Sequence, residues 1–172
     1  MHSKKPKVVK FDRMFLAGFS FFGDPFAMSA EWTEENEIGR LCRRFMEYVE
    51  KNEARTKNLL IPDISYEVWT WNEEAAEKGN FDIFVGMEVK QVEAVPYDLS
   101  MRILPPCEYA VFTLKGQEIT TDWHKPLYKE WLPQSGYEES YQYQFQYYDQ
   151  RFKGMDRVDE SELDVYVPVS KK

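Results

Sequence analysis

A run of alternating polar and aromatic side chains near the C-terminal end carries the residue types best suited to hold a small organic molecule. Between Tyr141 and Tyr148, the side chains of Gln142, Gln144 and Gln146 alternate with aromatic rings. Alternate side chains of a β-strand point to opposite faces, so the three glutamines and Tyr148 would share one face. That face is too polar to pack under a helix. We expect it to line a cleft in which Gln146 and Tyr148 offer hydrogen bonds to a ligand.

A second strand, from Tyr66 to Trp71, combines two indole rings and a carboxylate. Trp69 and Trp71 lie on one face of this strand, where they could stack on a flat ligand or fill the core. Glu67 shares that face and could supply a negative charge. Four further aromatic residues are candidates for the same pocket: Tyr66, Phe84, Trp123 and Tyr166. A core role explains Tyr66 and Phe84 equally well. Trp123 could instead pack the short helix on the sheet, and Tyr166 could instead lie on an exposed strand face.

Side chains that commonly form catalytic or metal sites are sparse and badly spaced in this chain. His2 and His124 are the only histidines, and they are far apart in sequence. Cys42 lies in an apolar helical stripe and Cys107 lies beside prolines, so we expect both to be structural thiols. There is no glycine-rich phosphate loop and no paired-carboxylate motif. The sequence therefore predicts no catalytic residue, no metal site and no cofactor.

The composition agrees with a ligand-binding protein better than with a nucleic-acid-binding or membrane protein. Aromatic residues make up 16% of the 172 residues, more than a core of this size needs. The net charge of −8 would repel a phosphate backbone. No stretch approaches the ~18 consecutive apolar residues of a membrane span, and the basic N-terminus lacks the apolar core of a signal peptide. We expect a cytoplasmic protein that neither binds nucleic acid directly nor enters a membrane.

Helical periodicity and strand alternation predict the elements that position these residues. Thr33 is placed to cap a long helix, and a shorter helix opens at Asp122 and stops at Pro133, with Gly136 as its exit residue. The apolar stripe of the long helix consists of Ile38, Leu41, Cys42, Phe45, Met46 and Val49. Strands are predicted over residues 8–22, 66–71, 81–89, 109–116, 141–148 and 163–168.

The chain also contains an internal repeat. Leu16–Gly23 lines up with Tyr109–Gly116, and similar elements follow both segments, so the halves span about 7–92 and 99–169. We predict a single α+β domain over residues 1–172, a duplicated βαββ repeat with a curved antiparallel sheet and two helices on one face. A two-fold repeat places a ligand cleft at its centre. We expect that cleft on the face of the sheet opposite the helices.

Three C-terminal segments resemble the GyrI-like small-molecule-binding family, which also supplies the effector-binding domains of AraC-type and MerR-type transcription regulators. These segments are Trp131–Tyr137, Phe145–Phe152 and Ser161–Val169, and a weaker similarity covers Tyr66–Val89. The resemblance implies a curved sheet with two helices and a central pocket for lipophilic, often cationic, molecules. It also implies a buried glutamate in the fifth strand, where this chain has Gln146. A glutamine offers only an amide dipole to a cation, which puts the cation preference in question.

Three functions are open at this point. The favoured hypothesis is a stand-alone effector-binding protein, a monomer or homodimer, that sequesters a lipophilic or aromatic molecule or reports it to a separate regulatory protein. Some GyrI-like relatives are described as hydrolases that use a pocket glutamate with tyrosine. Gln146 cannot act as a base, so hydrolysis would require Glu67 or another acid. The third alternative is an inhibitor of a topoisomerase-like enzyme whose acidic surface mimics nucleic acid.

Overall fold

Every strand pairing in the described chain is antiparallel, and all the strands join one sheet. The computed structural model describes residues 5–27 and 36–172, and within these residues the sheet has nine strands. The strands are Lys7–Phe11 (β1), Met14–Gly23 (β2), Ser65–Thr70 (β3), Phe81–Glu88 (β4), Ser100–Leu104 (β5), Cys107–Lys115 (β6), Tyr137–Glu139 (β7), Tyr143–Tyr148 (β8) and Glu162–Lys171 (β9).

The longest helix of the described chain is α1, over Glu37–Lys51. The side-chain oxygen of Asn36 caps it by accepting a hydrogen bond of 2.8 Å from the Gly39 amide. The predicted cap, Thr33, lies outside the described residues, as does His2. The shorter helical segments are Glu53–Thr56 (α2), Glu73–Lys78 (α3), a π-helical turn over Lys125–Trp131, Leu132–Gln134 (α4), and 3₁₀ turns at Val92–Ala94, Gly116–Thr120 and Met155–Glu160.

Most of the predicted elements are confirmed, with two differences among the strands. The predicted strand over residues 8–22 is divided into β1 and β2, because Asp12 and Arg13 lie outside both ladders. The strands β5 and β7 were not predicted. Both strands are short, so neither shows a strong alternation of apolar and polar residues. β5 also pairs with β2 alone. Gly136 has a φ of +77°, which confirms it as the exit residue of the second helical segment.

The order of the strands divides the sheet into two similar halves. It runs β1-β6-β9-β8-β3-β4-β2-β5, with β7 added beside β9. The halves meet where β3 pairs with β8. Outward from there, one half continues with β4, β2 and β5, and the other with the corresponding strands β9, β6 and β1. The α+β class and the antiparallel sheet predicted from the sequence are confirmed.

The two faces of the sheet are covered in different ways. On one face, α1 packs Leu41 and Phe45 against Phe19 and other residues of β2, β3 and β4, and the π-helical turn packs Leu127 on β6 and β9. The other face is closed by an aromatic core in which Tyr109 is fully buried. The rings of this aromatic core belong to Tyr66, Phe84, Tyr109, Tyr143, Phe145 and Tyr166.

The polar face of β8 lies on the helix side of the sheet, so the predicted position of the cleft is wrong. Gln146 pairs with Glu67 of β3 and with Val165 of β9, and Val165 belongs to the apolar cluster beneath the π-helical turn. α1 lies over β2 and β4, so the helices flank the central strands and the glutamines lie between them. At the centre of the sheet, the opposite face is filled by Phe145 and the other rings of the aromatic core.

Candidate ligand-binding site

Glu67 and Gln146 form the centre of the candidate site. They are directly opposed in the β3·β8 ladder, and each side chain is only 3% exposed. Both point to the helix side, where β-branched and aromatic residues would be the usual occupants of a central strand. Two buried polar side chains at one register position are therefore unusual in a core. Each needs hydrogen-bond partners, because burying an unpaired polar group costs free energy.

Those partners are supplied by neighbours on the same two strands. The indole Nε1 of Trp69 donates to Glu67 Oε1 at 2.7 Å. The hydroxyl of Tyr148 lies 2.9 Å from Glu67 Oε2 and 2.7 Å from Gln146 Oε1. Because side chains two residues apart on a strand share a face, the alternation of β3 and β8 brings all four groups together.

Burial dominates the electrostatics of this cluster. It raises the pKa of the Glu67 carboxyl above its usual range, although the hydrogen bonds from Trp69 and Tyr148 act in the opposite direction. The pKa of the Tyr148 phenol is raised well above 10, by burial first and then by the neighbouring Glu67. Burial also raises the pKa of Cys42 to about 12, so this thiol is neutral.

A cavity of about 420 Å³ opens beside Glu67 and Tyr148. It lies between α1, the start of β3 and the segment that follows β8. Its walls are mostly apolar and include Phe45 and Met46, and the volume is within the range of ~300–1,000 Å³ that is usual for small-molecule sites. The cavity is lined by Asn36, Ile38, Gly39, Cys42, Arg43, Phe45, Met46, Ser65, Tyr66, Glu67, Val85, Tyr148, Phe152, Gly154 and Met155.

The structure brings together only part of the predicted set. Glu67 and Tyr148 line the cavity, and Gln146 and Trp69 are bonded to them. Tyr66 borders the cavity, but its ring contacts Phe145 and Tyr147 in the aromatic core. Phe84 and Tyr166 belong to that core, because they are on the alternate faces of their strands. Their placement with Gln146 in one pocket is therefore not supported by the geometry.

Trp71 and Trp123 lie near the π-helical turn instead. Trp71 meets the ring of Tyr128 edge-on at 6.2 Å, and Trp123 stacks on His124 at 3.8 Å. Gln144 links these residues, since the Tyr128 hydroxyl donates to its Oε1 at 3.4 Å and its amide nitrogen is 3.2 Å from His124 Nε2. Trp123 belongs to the apolar cluster of the second half of the sheet, whereas Trp71 also packs against the cluster beneath α1.

Tyr166 also lines a second cavity, of about 830 Å³, along β1, β6 and β9. Four of its charged side chains form two ion pairs. Arg151 contacts Asp164 at 2.6 Å, and Lys115 contacts Glu162 at 2.7 Å. The lining also includes Lys5, Lys7 and Glu118, so basic side chains outnumber acidic ones and this cavity does not favour a cation.

The sequence analysis missed the side of the site that α1 contributes. Cys42 and Met46 were assigned to the apolar stripe that packs on the sheet, yet both line the cavity, and Met46 is 50% exposed. Their position one helical turn apart, at the edge of that stripe, is the signal that could have identified them. Phe152, Gly154 and Met155 were also missed, since a loop that folds back on a helix leaves no periodic pattern.

The described residues provide no metal site and no membrane-spanning helix. Within residues 5–27 and 36–172, there is no group of three or more His, Cys, Asp or Glu side chains that could hold a metal ion. No helix in the same ranges is both long and apolar enough to cross a membrane.

Comparison with known proteins gives one matching family. The family model described as "Cass2: Integron-associated effector binding protein" matches residues 7–169. The transcriptional regulator BrlR of Pseudomonas aeruginosa is 28% identical over 172 residues, which cover 98% of this chain and 56% of the regulator. The chain thus spans just over half the length of that relative.

Solved structures share the fold at low sequence identity. EcmrR, in a complex with DNA, superposes with a TM-score of 0.71 and 14% identity over 98% of this chain and 58% of its own. SAV2435 bound to tetraphenylphosphonium superposes with a TM-score of 0.62 and 10% identity over 96% of this chain and 94% of its own. At these identities the likeness establishes the fold alone.

Proposed function

The chain belongs to the Cass2 family of integron-associated effector binding proteins, and we propose that it binds a lipophilic organic cation in the cavity beside Glu67. Membership in this family, together with the regulator relative, confirms the GyrI-like resemblance predicted from the sequence. An effector-binding fold supports binding of a small molecule. The class of ligand, the cavity and the absence of catalysis are our proposal.

One observation carries the proposal, the carboxyl of Glu67 buried at the base of an apolar cavity. Removing a carboxylate from water without a charged partner costs several kcal/mol. Within the described part of the chain, its pKa is shifted by burial and by two neutral hydrogen-bond donors, Trp69 and Tyr148, and by no cationic side chain. A cation held in the cavity would supply the missing charge where the low dielectric strengthens the attraction.

The walls of the cavity favour a cation with a large apolar surface. Burying apolar ligand area against Ile38, Phe45 and Met46 contributes about 25 cal/mol per Å². The ring of Phe152, which contacts that of Tyr148 at 4.8 Å, offers a further aromatic surface for a cation. A small hydrated cation would gain neither contribution. The tetraphenylphosphonium found on the structural relative SAV2435 belongs to this chemical class.

We further propose that ligand occupancy serves a regulatory purpose. BrlR, which is similar in sequence, is described as a transcriptional regulator, and EcmrR, which shares the fold, is described in a complex with DNA. Both proteins are longer than this chain. On this proposal, the chain either sequesters its ligand or reports it to a separate regulatory protein.

A second candidate function, hydrolysis of a reactive small molecule, is favoured by the contact between Glu67 and Tyr148. A buried carboxylate that accepts a hydrogen bond from a phenol could take a proton from water as the water attacks an electrophilic carbon. Gln146 cannot act as the general base, and Glu67 would take that role. Incubation with styrene oxide tests this alternative: diol formation that depends on Glu67 would favour hydrolysis, and an unchanged epoxide would favour binding alone.

The test of cation binding uses two ligands of the same shape and opposite charge. Tryptophan fluorescence is titrated with tetraphenylphosphonium and with tetraphenylborate, and both titrations are repeated on Glu67→Gln. We expect saturable binding of the phosphonium to the wild-type protein, and weaker binding to the variant. Equal affinity for the two ions, or equal phosphonium affinity in both proteins, would contradict the proposal.

A further inference from the structure

The hydroxyl of Tyr148 meets two acceptors but carries one hydrogen. Its oxygen is 2.9 Å from Glu67 Oε2 and 2.7 Å from Gln146 Oε1. Both separations are hydrogen-bond distances, and a phenol can donate only once. If Glu67 were ionised, the carboxylate, phenol and amide oxygens would have a single hydrogen to share between two contacts. One pair of buried oxygens would then face each other without a hydrogen.

A proton on Glu67 supplies the missing hydrogen. Glu67 Oε2–H can then donate to the oxygen of Tyr148, and the Tyr148 hydroxyl can donate to Gln146 Oε1. The indole of Trp69 still donates to Glu67 Oε1 at 2.7 Å. The contacts of Glu67 with Trp69 and Tyr148, and of Tyr148 with Gln146, then each contain one hydrogen. No buried oxygen faces another without a hydrogen between them. The geometry therefore matches a neutral acid.

Among residues 5–27 and 36–172, no cationic side chain shifts the pKa of Glu67. On α1, the lining groups that titrate or carry charge are Cys42, a neutral thiol, and Arg43, which is exposed. Arg43 is not among the causes that shift the pKa of Glu67, whereas burial is the largest of them and raises it. β4 contributes Val85, and β8 contributes Tyr148, whose pKa is also raised. The segment after β8 contributes Phe152, Gly154 and Met155, none of which titrates.

We propose that the empty cavity holds Glu67 as a neutral acid and that a lipophilic cation displaces its proton, so that the site exchanges one proton for one organic cation. This inference rests on the proposed function and adds that binding releases a proton. On binding, the O–H bond of Glu67 breaks, the proton passes to solvent and the carboxylate pairs with the cation. The combined charge of Glu67 and its ligand in the cavity is zero before and after the exchange.

The hydrogen bonds rearrange in a defined way during this exchange. Once Glu67 is ionised, the Tyr148 hydroxyl donates to the carboxylate, which is the stronger acceptor. Rotation of the Gln146 amide then turns its Nε2 towards the Tyr148 oxygen and donates a hydrogen there. A glutamine can provide either a donor or an acceptor in the same space, and a glutamate at position 146 could not donate from its ionised form. Gln146 thus allows the cluster to be satisfied in both states.

Isothermal titration calorimetry with tetraphenylphosphonium measures the exchanged proton directly. Titrations at one pH in phosphate and in Tris, whose ionisation enthalpies differ, give the number of protons released. We expect about one proton per bound cation while Glu67 is protonated, with an affinity that rises about tenfold per pH unit and levels off above the pKa of Glu67. Glu67→Gln, which resembles the neutral acid in shape, should release none.

Infrared spectroscopy gives a second measurement on the ligand-free protein. The carbonyl band of a protonated carboxylic acid should be present near neutral pH, absent from Glu67→Gln and lost when tetraphenylphosphonium binds. If this band is absent from the free wild-type protein, the inference is wrong. If the cation binds with equal heats in both buffers, the exchange is wrong although the proposed function is supported. Failure of the cation to bind at all would contradict the proposed function itself.

Discussion

Glu67 and Gln146 occupy equivalent positions in the two halves of the sheet. The alignment of Leu16–Gly23 with Tyr109–Gly116, carried through the registers of β2·β4, β4·β3, β6·β9 and β9·β8, assigns Glu67 to the same place in the first half that Gln146 has in the second. The same two residues are paired across the β3·β8 ladder. A charge moved from one position to the other therefore stays within the central cluster.

This equivalence predicts the behaviour of a charge swap. Glu67→Gln should weaken tetraphenylphosphonium binding by roughly 30-fold or more at pH 8, because losing one partner of a buried charge pair costs about 2–5 kcal/mol. Adding Gln146→Glu to that variant should restore much of the affinity, since the carboxylate again lies in the cluster. Fluorescence titration of the single and double variants measures both effects.

A distant carboxylate provides the control for the charge swap. Glu138 of β7 is exposed, so Glu138→Gln changes the net charge by the same amount as Glu67→Gln does. We expect its phosphonium affinity to stay within about twofold of wild type, because exposed charges are screened by solvent and salt. A loss equal to that of Glu67→Gln would mean that the net charge of −8, and not the buried acid, attracts the cation.

The raised pKa of Glu67 predicts how stability depends on pH. In the unfolded chain this carboxyl titrates near 4.5, and in the folded protein burial raises that value. The folded state thus holds the proton more tightly, so the stabilising contribution of Glu67 is complete below pH 4.5 and is lost as the pH rises through the folded-state pKa. Within that window the unfolding free energy of wild type should fall relative to Glu67→Gln by up to about 1.4 kcal/mol per pH unit.

Thermal or urea unfolding of the two proteins between pH 4.5 and 8 measures this difference. The melting temperature of Glu67→Gln should rise relative to wild type as the pH increases. A constant difference across this range would show that Glu67 titrates alike in the folded and unfolded states.

Removal of the Tyr148 hydroxyl should destabilise the protein. Tyr148→Phe leaves Glu67 Oε2 and Gln146 Oε1 without their shared partner, and an unsatisfied buried polar group costs about 1–3 kcal/mol. Tyr147→Phe is the matched control, because its ring lies on the opposite face of the same strand against Tyr66 and Tyr166. Urea unfolding at pH 7 should separate the two variants. Equal losses would mean that the hydroxyl of Tyr148 contributes nothing specific to the cluster.

Much of the fold was predictable because its patterns are local. The apolar spacing of α1 and the alternation of β3, β4 and β8 follow directly from helical and strand periodicity. The repeat of Leu16–Gly23 at Tyr109–Gly116 predicted two similar halves, and the strand order has that symmetry. The edge strand β5 was missed because its pairing with β2 depends on a partner distant in sequence.

The cluster of polar residues in the candidate site could be predicted from the sequence, and the walls of the cavity could not. Alternation correctly joined Glu67 with Trp69, and Gln146 with Tyr148, because each pair lies on one strand. The prediction placed these residues on the wrong face of the sheet. Their polarity alone does not show whether the helices lie on either side of them or on the opposite face. The contribution of Cys42 depends on the placement of α1 across β2 and β4, a tertiary relationship that periodicity does not contain.

The position of Met46 predicts how the entrance of the cavity controls binding. This side chain lines the cavity from α1 and is 50% exposed, so Met46→Lys should change the unfolding free energy by less than about 0.5 kcal/mol. The added ammonium would repel a cation near the carboxyl, and we expect phosphonium affinity to fall at least about fivefold, a difference of about 1 kcal/mol.

The neighbouring Glu47 supplies a control with the same change in net charge. Glu47 is an exposed residue of α1 that is not among the side chains lining the cavity, so Glu47→Gln raises the net charge by one without placing a cation at the entrance. Its phosphonium affinity should remain close to that of wild type. Fluorescence titration of both variants locates the ligand: equal affinities for Met46→Lys and Glu47→Gln would show that it binds away from α1, and a loss confined to Met46→Lys would place it beside this helix.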